Sequence, residues 1–499
     1  MLFDQGVHRV IRKGLLVLLL AFTGSVGAHT GGVCNPVTLK PFTEHPPMYP
    51  YEMDTFRGLG KRWSTSSELK AYFDQQKQLL KRVQELSPPI SAASALKLAS
   101  VGDIMRLSAD QDELVNPALQ EYLDSVDILT GNLETLISPN YPVPPDDLFL
   151  MNSAPSIITG FRNQNQQNYF SVLSTANNHT FDFPDDAIKD TVNLLRKEGI
   201  FQSGIRESRN QKPYLVLEKN GIRIGYYAVT TFVNNKKAHI DSELHLNPII
   251  TGIEPEAFSD WRDSCKIDLS STARVLKQME RDGADIKIIS IHWGIEDDMY
   301  PQPVQLELAH RMVQQGADVI VGSHPHVPQP AEICFVNGYE EKLGAEMAQR
   351  QRQQGCVIKS SDGKVRKAMI YYSLGNFSSY TPLFWEQVGV IAEMQVARVP
   401  HADGFVVDWF APEYVFTYDY VDGPPHGKRD INLLNTFIAR RCGGSGCSGS
   451  TLNMVSVLKR HLTGSSMSWW EELKVTAVTT YDALKNLIYW QFFAPSKSP

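Results

Sequence analysis

Short apolar runs that stop at a polar loop recur along this chain, and those loops carry most of its chemistry. The run 96–101 ends in Gly102-Asp103-Ile104-Met105, 127–130 in Gly131-Asn132-Leu133-Glu134, and 170–174 leads to Ala176-Asn177-Asn178-His179. Further on, 286–291 stops at His292-Trp293-Gly294, 318–321 at Gly322-Ser323-His324-Pro325-His326, and 366–372 at Ser373-Leu374-Gly375-Asn376-Phe377. Apolar segments this short, bounded by Gly, Asn and Pro, predict buried strands. Lys219-Asn220-Gly221 between 214–217 and 222–229 predicts a hairpin, because Asn-Gly suits a type I′ turn. Closing strands are expected at 388–399 and 404–410.

Helical spacing alternates with these runs. Leu69, Tyr72, Phe73, Leu79, Leu80 and Val83 form one apolar face over 67–86, a packing arm that Pro88-Pro89 ends. Helices are also expected near 117–125, over 185–198 closed by Gly199, and over 271–282 closed by Gly283. Val304, Leu308 and Met312 recur every fourth residue behind Pro303 and ahead of Gly316. The triplet Gly-Ala-Asp precedes both the 286–291 and the 318–321 run, marking two successive helix-to-strand units. Strand, crossover helix and parallel strand is a βαβ unit, and open α/β sheets place ligands beyond the carboxyl ends of their strands. An excursion at 231–266 and a polar insertion at 329–363 interrupt the pattern.

His292, His324 and His326 therefore stand at strand ends. In an extended segment the two residues of an H-x-H pair point the same way. Such a pair with a third imidazole from the neighbouring strand makes a partial coordination sphere suited to zinc, manganese or iron.

The chain has 499 residues, 42% hydrophobic and 21% charged, with net charge −7, a balance that disfavours nucleic acid as a partner. Arg9, Arg12 and Lys13 precede the apolar stretch 15–22, and Val26-Gly27-Ala28 has the form of a cleavage site, so 1–28 read as a secretory signal and the protein as exported, to the periplasm, the cell exterior or a membrane surface. Beyond it come an N-terminal extension at 29–95, a main domain at 96–412 and a C-terminal extension at 413–499, whose stretch 467–493 is rich in aromatics. Six cysteines in an exported chain permit three disulfides; Cys442–Cys447 is the first pairing expected and Cys334–Cys356 the next.

GDIM at 102–105, NLE at 132–134, ANNHTFD at 176–182, HWG at 292–294, GSHPHV at 322–327 and SLGNF at 373–377 stand in an order that resembles the CapA family of capsule or poly-γ-glutamate synthesis proteins. That family looks like a branch of the calcineurin-like metallophosphoesterase superfamily. The resemblance covers about 96–412 and implies an α/β fold, a four-layer α/β/β/α sandwich of the metallophosphoesterase type with an N-terminal helical arm and a C-terminal extension. It also implies two divalent transition-metal ions (Mn, Fe or Zn). Asp103 would be a first-strand ligand, Glu134 or Asn132 would bridge, Asn178 would bind metal, and His292, His324 and His326 would complete the spheres. His179 would face the phosphoryl oxygens or the leaving group as the catalytic histidine. Met105 stands where other superfamily members carry the His of Asp-x-His, a feature the CapA branch shares.

Asn177 and Asn376 either hold loops or touch substrate, Glu296, Tyr300 and Gln305 are pocket-wall candidates, and His310 reads as a surface histidine. The implied function is an exported metal-dependent hydrolase or transferase acting on a phosphoester or an envelope polymer. The alternative is a non-catalytic, membrane-associated component that handles or exports poly-γ-glutamate or another anionic polymer within a membrane-bound synthesis complex.

Overall fold

The computed structural model of the protein describes residues 67–86, 95–107, 113–144, 149–248, 267–379, 386–401, 404–422 and 428–434, with a few single positions besides. The expected signal segment, Cys34, Cys265, the expected Cys442–Cys447 pair and the aromatic stretch 467–493 lie outside the described residues.

Helix α1 (Ser67–Glu85) leads to β1 (Ala95–Met105), α2 (Pro117–Asp124), β2 (Ile128–Glu134), β3 (Phe170–Ser174), α3 (Asp185–Lys197) and β4 (Phe201–Ser203). There follow β5 (Ile205–Arg206), β6 (Tyr214–Lys219), β7 (Ile222–Thr230), β8 (His245–Leu246), α4 (Ser270–Arg281), β9 (Ile286–His292), α5 (Pro303–Gln314) and β10 (Val319–Ser323). The remainder is β11 (Ala331–Val336), α6 (Ala345–Gln354), β12 (Cys356–Ile358), β13 (Arg366–Tyr371), β14 (Asn376–Ser378), β15 (Val388–His401), β16 (Gly404–Asp422) and β17 (Lys428–Leu433).

Two sheets result. The first runs β17-β16-β15-β1-β2-β3-β4 with β14 also paired to β1, and the second runs β12-β11-β13-β10-β9-β7-β6. Side chains alternate across each strand, so each strand feeds two cores. Leu98, Val172, Tyr226, Ala228 and Ile288 pack between the sheets. Their neighbours Ala99, Leu129 and Leu173 face Leu119, Leu123 and Leu195 of α2 and α3 on one outer side. Tyr227, Val229 and Ile289 face Leu276, Met279, Leu308 and Met312 of α4 and α5 on the other. That is the four-layer α/β/β/α sandwich. Strands β1, β2 and β3 are parallel, as are β7, β9 and β10, so their carboxyl ends collect at one edge.

Both Gly-Ala-Asp triplets serve this arrangement. Gly283 and Gly316 take positive φ to end a helix, and the aspartates accept backbone N–H bonds from the neighbouring strand, Arg223 N to Asp285 at 2.8 Å and Lys287 N to Asp318 at 2.9 Å. Helix α1 is the packing arm its apolar face predicts, with Leu69, Phe73, Leu79 and Val83 buried and Gln76 accepting from Ile333 N at 3.1 Å.

Two expectations need correction. The segment 329–363 is no peripheral insertion, because β11 and β12 are integral strands of the second sheet. His310 is not at the surface: it is buried, with Nε2 2.9 Å from Glu332 of β11. The acid that makes Ala331–Val336 look polar is neutralised inside the fold. The first sheet also continues beyond residue 412, which falls inside β16.

Cys334 and Cys356 form a disulfide across the parallel pair β11/β12, closing a sequence separation of 22. Loop-closure entropy for that length makes Cys334→Ser/Cys356→Ser less stable by about 3 kcal/mol, read as a lower urea midpoint.

Candidate metal centre

The strand ends supply the site. Asp103 closes β1 with its backbone N–H donating to Gly375 O at 2.9 Å, an approach that needs glycine at 102, where a Cβ would lie 1.8 Å from that same oxygen. In register beside β1, Asn132 pairs with Asp103 and Glu134 with Met105 on β2. His292 ends β9 opposite Ser323 at the end of β10, and His324 and His326 follow with φ of 95° and 59°. Left-handed backbone at two histidines is uncommon and costs about 1–3 kcal/mol per residue, held only where the surroundings over-determine it.

Hydrogen bonds knit these groups together. Asp103 Oδ1 accepts from Asn132 Nδ2 at 2.8 Å and Oδ2 from His324 N at 2.9 Å. His292 lies with Nδ1 3.0 Å from Ser323 Oγ and Nε2 2.8 Å from Asn178 Oδ1, and its Nε2 is 3.4 Å from Glu134 Oε1. His326 Nδ1 is 2.9 Å from Asn376 Oδ1, 3.4 Å from Asp103 Oδ2 and 3.9 Å from Glu134 Oε2. The rings of His292 and His324 stand 4.8 Å apart.

Several buried atoms of this cluster have no hydrogen-bond partner: both carboxylate oxygens of Glu134, Asn132 Oδ1 and His324 Nδ1. Folded proteins rarely leave such groups orphaned, and each left so costs about 1–3 kcal/mol. All four are metal-ligand atom types. Ligand atoms of Asp103, Glu134 and His326 lie within 4.8 Å of one another, as do those of Glu134, His292 and His324, and those of Glu296, His324 and His326. Glu134 belongs to the first two sets. The residues present therefore fit divalent metal binding.

The electrostatics agree. Burial, then the nearby Asp103 charge, pushes the Glu134 carboxyl well above the usual carboxylate range. Burial and the neighbouring imidazoles push His292 and His324 well below the ordinary histidine value, keeping them neutral as ligands must be. Burial opposes charge on His326 as well, yet Glu134 and Asp103 outweigh it and raise that histidine.

His179 stands apart from the cluster core. Its Nδ1 is 2.6 Å from Asp182 Oδ2 and its backbone N–H donates to Asn177 Oδ1 at 3.1 Å, while it still acts electrostatically on His292 and His324. Asn177 holds the loop, donating to Leu133 O at 2.8 Å, and Asn376 orients His326. Of the pocket-wall candidates only Glu296 reaches the cluster. Gln305 instead caps α5 through Gln302 N at 2.8 Å, and Tyr300 packs on Phe73 of α1 with ring centroids 5.9 Å apart. Met105 is buried and its sulfur accepts from Ser379 Oγ at 3.5 Å, so no imidazole stands at that position. Asp182, Ser323 and Asn234, the last 3.5 Å from His179 Nδ1, were not singled out from sequence. An acid three residues after His179 is the one signal that was there to read.

A two-sheet sandwich with carboxylates, amides and imidazoles gathered at its parallel strand ends defines a metallophosphoesterase-like protein. The family model described as bacterial capsule synthesis protein PGA_cap matches residues 78–381, and the chain belongs to that family. It is 26% identical over 296 residues to the capsule biosynthesis protein CapA of Bacillus anthracis, covering 56% of this chain and 59% of that one. It is 28% identical over 249 residues to the PGA biosynthesis protein CapA of Bacillus subtilis (strain 168), covering 48% and 59%. The match thus spans 59% of the length of each Bacillus relative. A phosphatase from Mycoplasma pneumoniae aligns over 66% of this chain and 96% of its own at 13% identity and a TM-score of 0.29, a score too low to add to the fold read from strand order.

Proposed function

We propose that the chain is an exported capsule or poly-γ-glutamate biosynthesis protein whose strand-end cluster is a two-metal hydrolase or transferase centre for a phosphoester or an envelope polymer. The observation that carries this reading is Glu134, buried, unpartnered at both oxygens and shared by two ligand sets. Asp103, Asn178, His292, His324 and His326 would share the remaining ligand positions, with Asn132 beside the bridge. Divalent manganese, iron or zinc there would polarise the substrate and lower the pKa of water.

The chain's own residues supply proton handling and orientation. Asp182 holds the Nδ1 proton of His179, which leaves Nε2 to pass a proton to the leaving oxygen as water adds and the bond to that oxygen breaks. Ser323 and Asn376 fix the rings of His292 and His326, the kind of support that ligand histidines need. Export is supported by the buried Cys334–Cys356 bond, since disulfides persist in oxidising compartments. Among the described residues no helix is long and apolar enough to cross a membrane.

The test is hydrolysis of bis-p-nitrophenyl phosphate and of a γ-linked glutamate oligomer by protein reconstituted with each metal. Metal-dependent turnover of either, slowed about 10²-fold in His179→Gln, is the expected result. Metal-loaded protein that cleaves neither would favour the non-catalytic role in polymer handling.

A further inference from the structure

A second cluster of cationic groups lies outside the centre. The ribbon β5/β8 and the short helix Lys236–Asp241 line a cavity of about 450 Å³ with Arg206, Arg209, His239, Ser242 and His245, and among the described residues that line it none is a carboxylate. In a chain of net charge −7 such a patch is a local reversal of sign.

Its construction is unusual for a merely solvated surface. Arg206 and His245 are direct partners in the antiparallel register, so both side chains leave the ribbon on one face. Like charges placed opposite one another cost stability whenever the imidazole is protonated. Arg206 is half-buried; its Nη atoms donate only to the carbonyls of Arg209 and Leu246, at 3.4 and 3.3 Å, and its buried Nε has no partner. Of the neighbouring acids, Glu207 pairs with Arg196 at 3.1 Å, Asp185 accepts from the lining Ser242 Oγ at 2.6 Å, and Asp241 and Glu243 are exposed. An anion in the cavity would pair with the guanidinium.

The cavity also adjoins the centre. The ring of His239 packs on Phe181 at 4.9 Å, two residues after His179 in the same loop, and Asn234, just ahead of that short helix, donates its backbone N–H to Asn178 O at 2.8 Å. We propose that this cavity is an anion-binding subsite, built on Arg206, Arg209 and His245, that holds a carboxylate or phosphate group of a ligand extending toward the strand-end centre. The direction of that ligand rests on the function proposed above; the binding of an anion does not.

The experiment reads binding, with full-chain protein titrated by calorimetry with a γ-linked glutamate oligomer and, separately, with inorganic phosphate. Wild type is expected to bind at least one probe with salt-sensitive affinity, and Arg206→Gln/Arg209→Gln to bind it about tenfold or more weakly. Glu134→Gln is expected to retain that binding. A loss seen with the oligomer assigns the cavity to carboxylates, and one seen with phosphate alone assigns it to phosphoryl groups. Arg209→Gln, at an exposed position, keeps the test decisive if the double variant fails to fold: weakened binding by this variant supports the subsite. Equal binding by wild type and the arginine variants overturns the proposal, as does no binding by wild type. Binding lost in Glu134→Gln alone would put the anion on the metal centre, overturning the subsite while leaving the proposed function standing.

Discussion

Glutamine in place of Glu134 is expected to stabilise the metal-free protein and to abolish the stabilisation that manganese, iron or zinc gives the wild type. In the chelated protein two buried carboxylate oxygens without partners are a cost of about 1–3 kcal/mol, which an uncharged amide of the same shape reduces. The sign with pH follows from the raised carboxyl. A carboxyl whose folded value lies above its unfolded one destabilises progressively as pH rises past the unfolded value, so the advantage of glutamine grows from about pH 4.3 upward. Metal reverses the order. A cation that binds only the folded wild type adds about 2.7 kcal/mol at a hundredfold excess over its dissociation constant, and removal of the shared ligand deletes that gain. Urea unfolding of both proteins, with and without metal, checks this: the variant should be the more stable in chelator and the less stable in metal.

The second large effect lies outside the centre. Glu332→Ala is expected to cost about 3–5 kcal/mol, because it leaves a buried imidazolium without its counter-charge. Glu332 accepts from His310 of α5, from Tyr72 of α1 and from the hydroxyl of Tyr372 beyond β13, so one carboxylate ties β11 to two helices and to the segment after β13. Burial alone would neutralise both partners, but their mutual attraction wins, raising His310 and lowering Glu332. Glu307 adds to the rise on His310, and the tyrosine hydroxyls help to lower Glu332. The raised histidine contributes stability that is full below about pH 6.5 and lost as pH rises through its folded value. The lowered carboxyl contributes stability that is full above about pH 4.3 and lost as pH falls through its folded value. The contribution of this pair should therefore plateau between those limits and fall on either side, so the gap in denaturation midpoint between wild type and Glu332→Ala should be widest there and narrow at lower and higher pH. An unchanged profile in the variant would remove the pair from the account.

The strand ends were legible because parallel strands in a sandwich are apolar throughout and turn polar only where they stop, so Asp103, Glu134, His292, His324 and His326 announced themselves by position. The bridging choice between Asn132 and Glu134 was not legible. Both lie on β2 two residues apart and face the same way; Glu134 leaves two oxygens without a partner, whereas Asn132 leaves one and spends its amide nitrogen on Asp103. Strand β11 was hidden by its own chemistry, since a buried Glu332 reads as solvent-facing until His310 is brought to it through the fold. The left-handed backbone at His324 and His326 likewise has no signature in residue type, because nothing marks a non-glycine residue that its surroundings force there.

The central claim is that one shared carboxylate organises two cations at the strand ends, and the direct measurement is elemental analysis of full-length protein after reconstitution with manganese, iron and zinc. The account predicts about two transition-metal ions per wild-type chain and their loss in His324→Ala/His326→Ala. Wild-type protein that retains no metal after all three would contradict it.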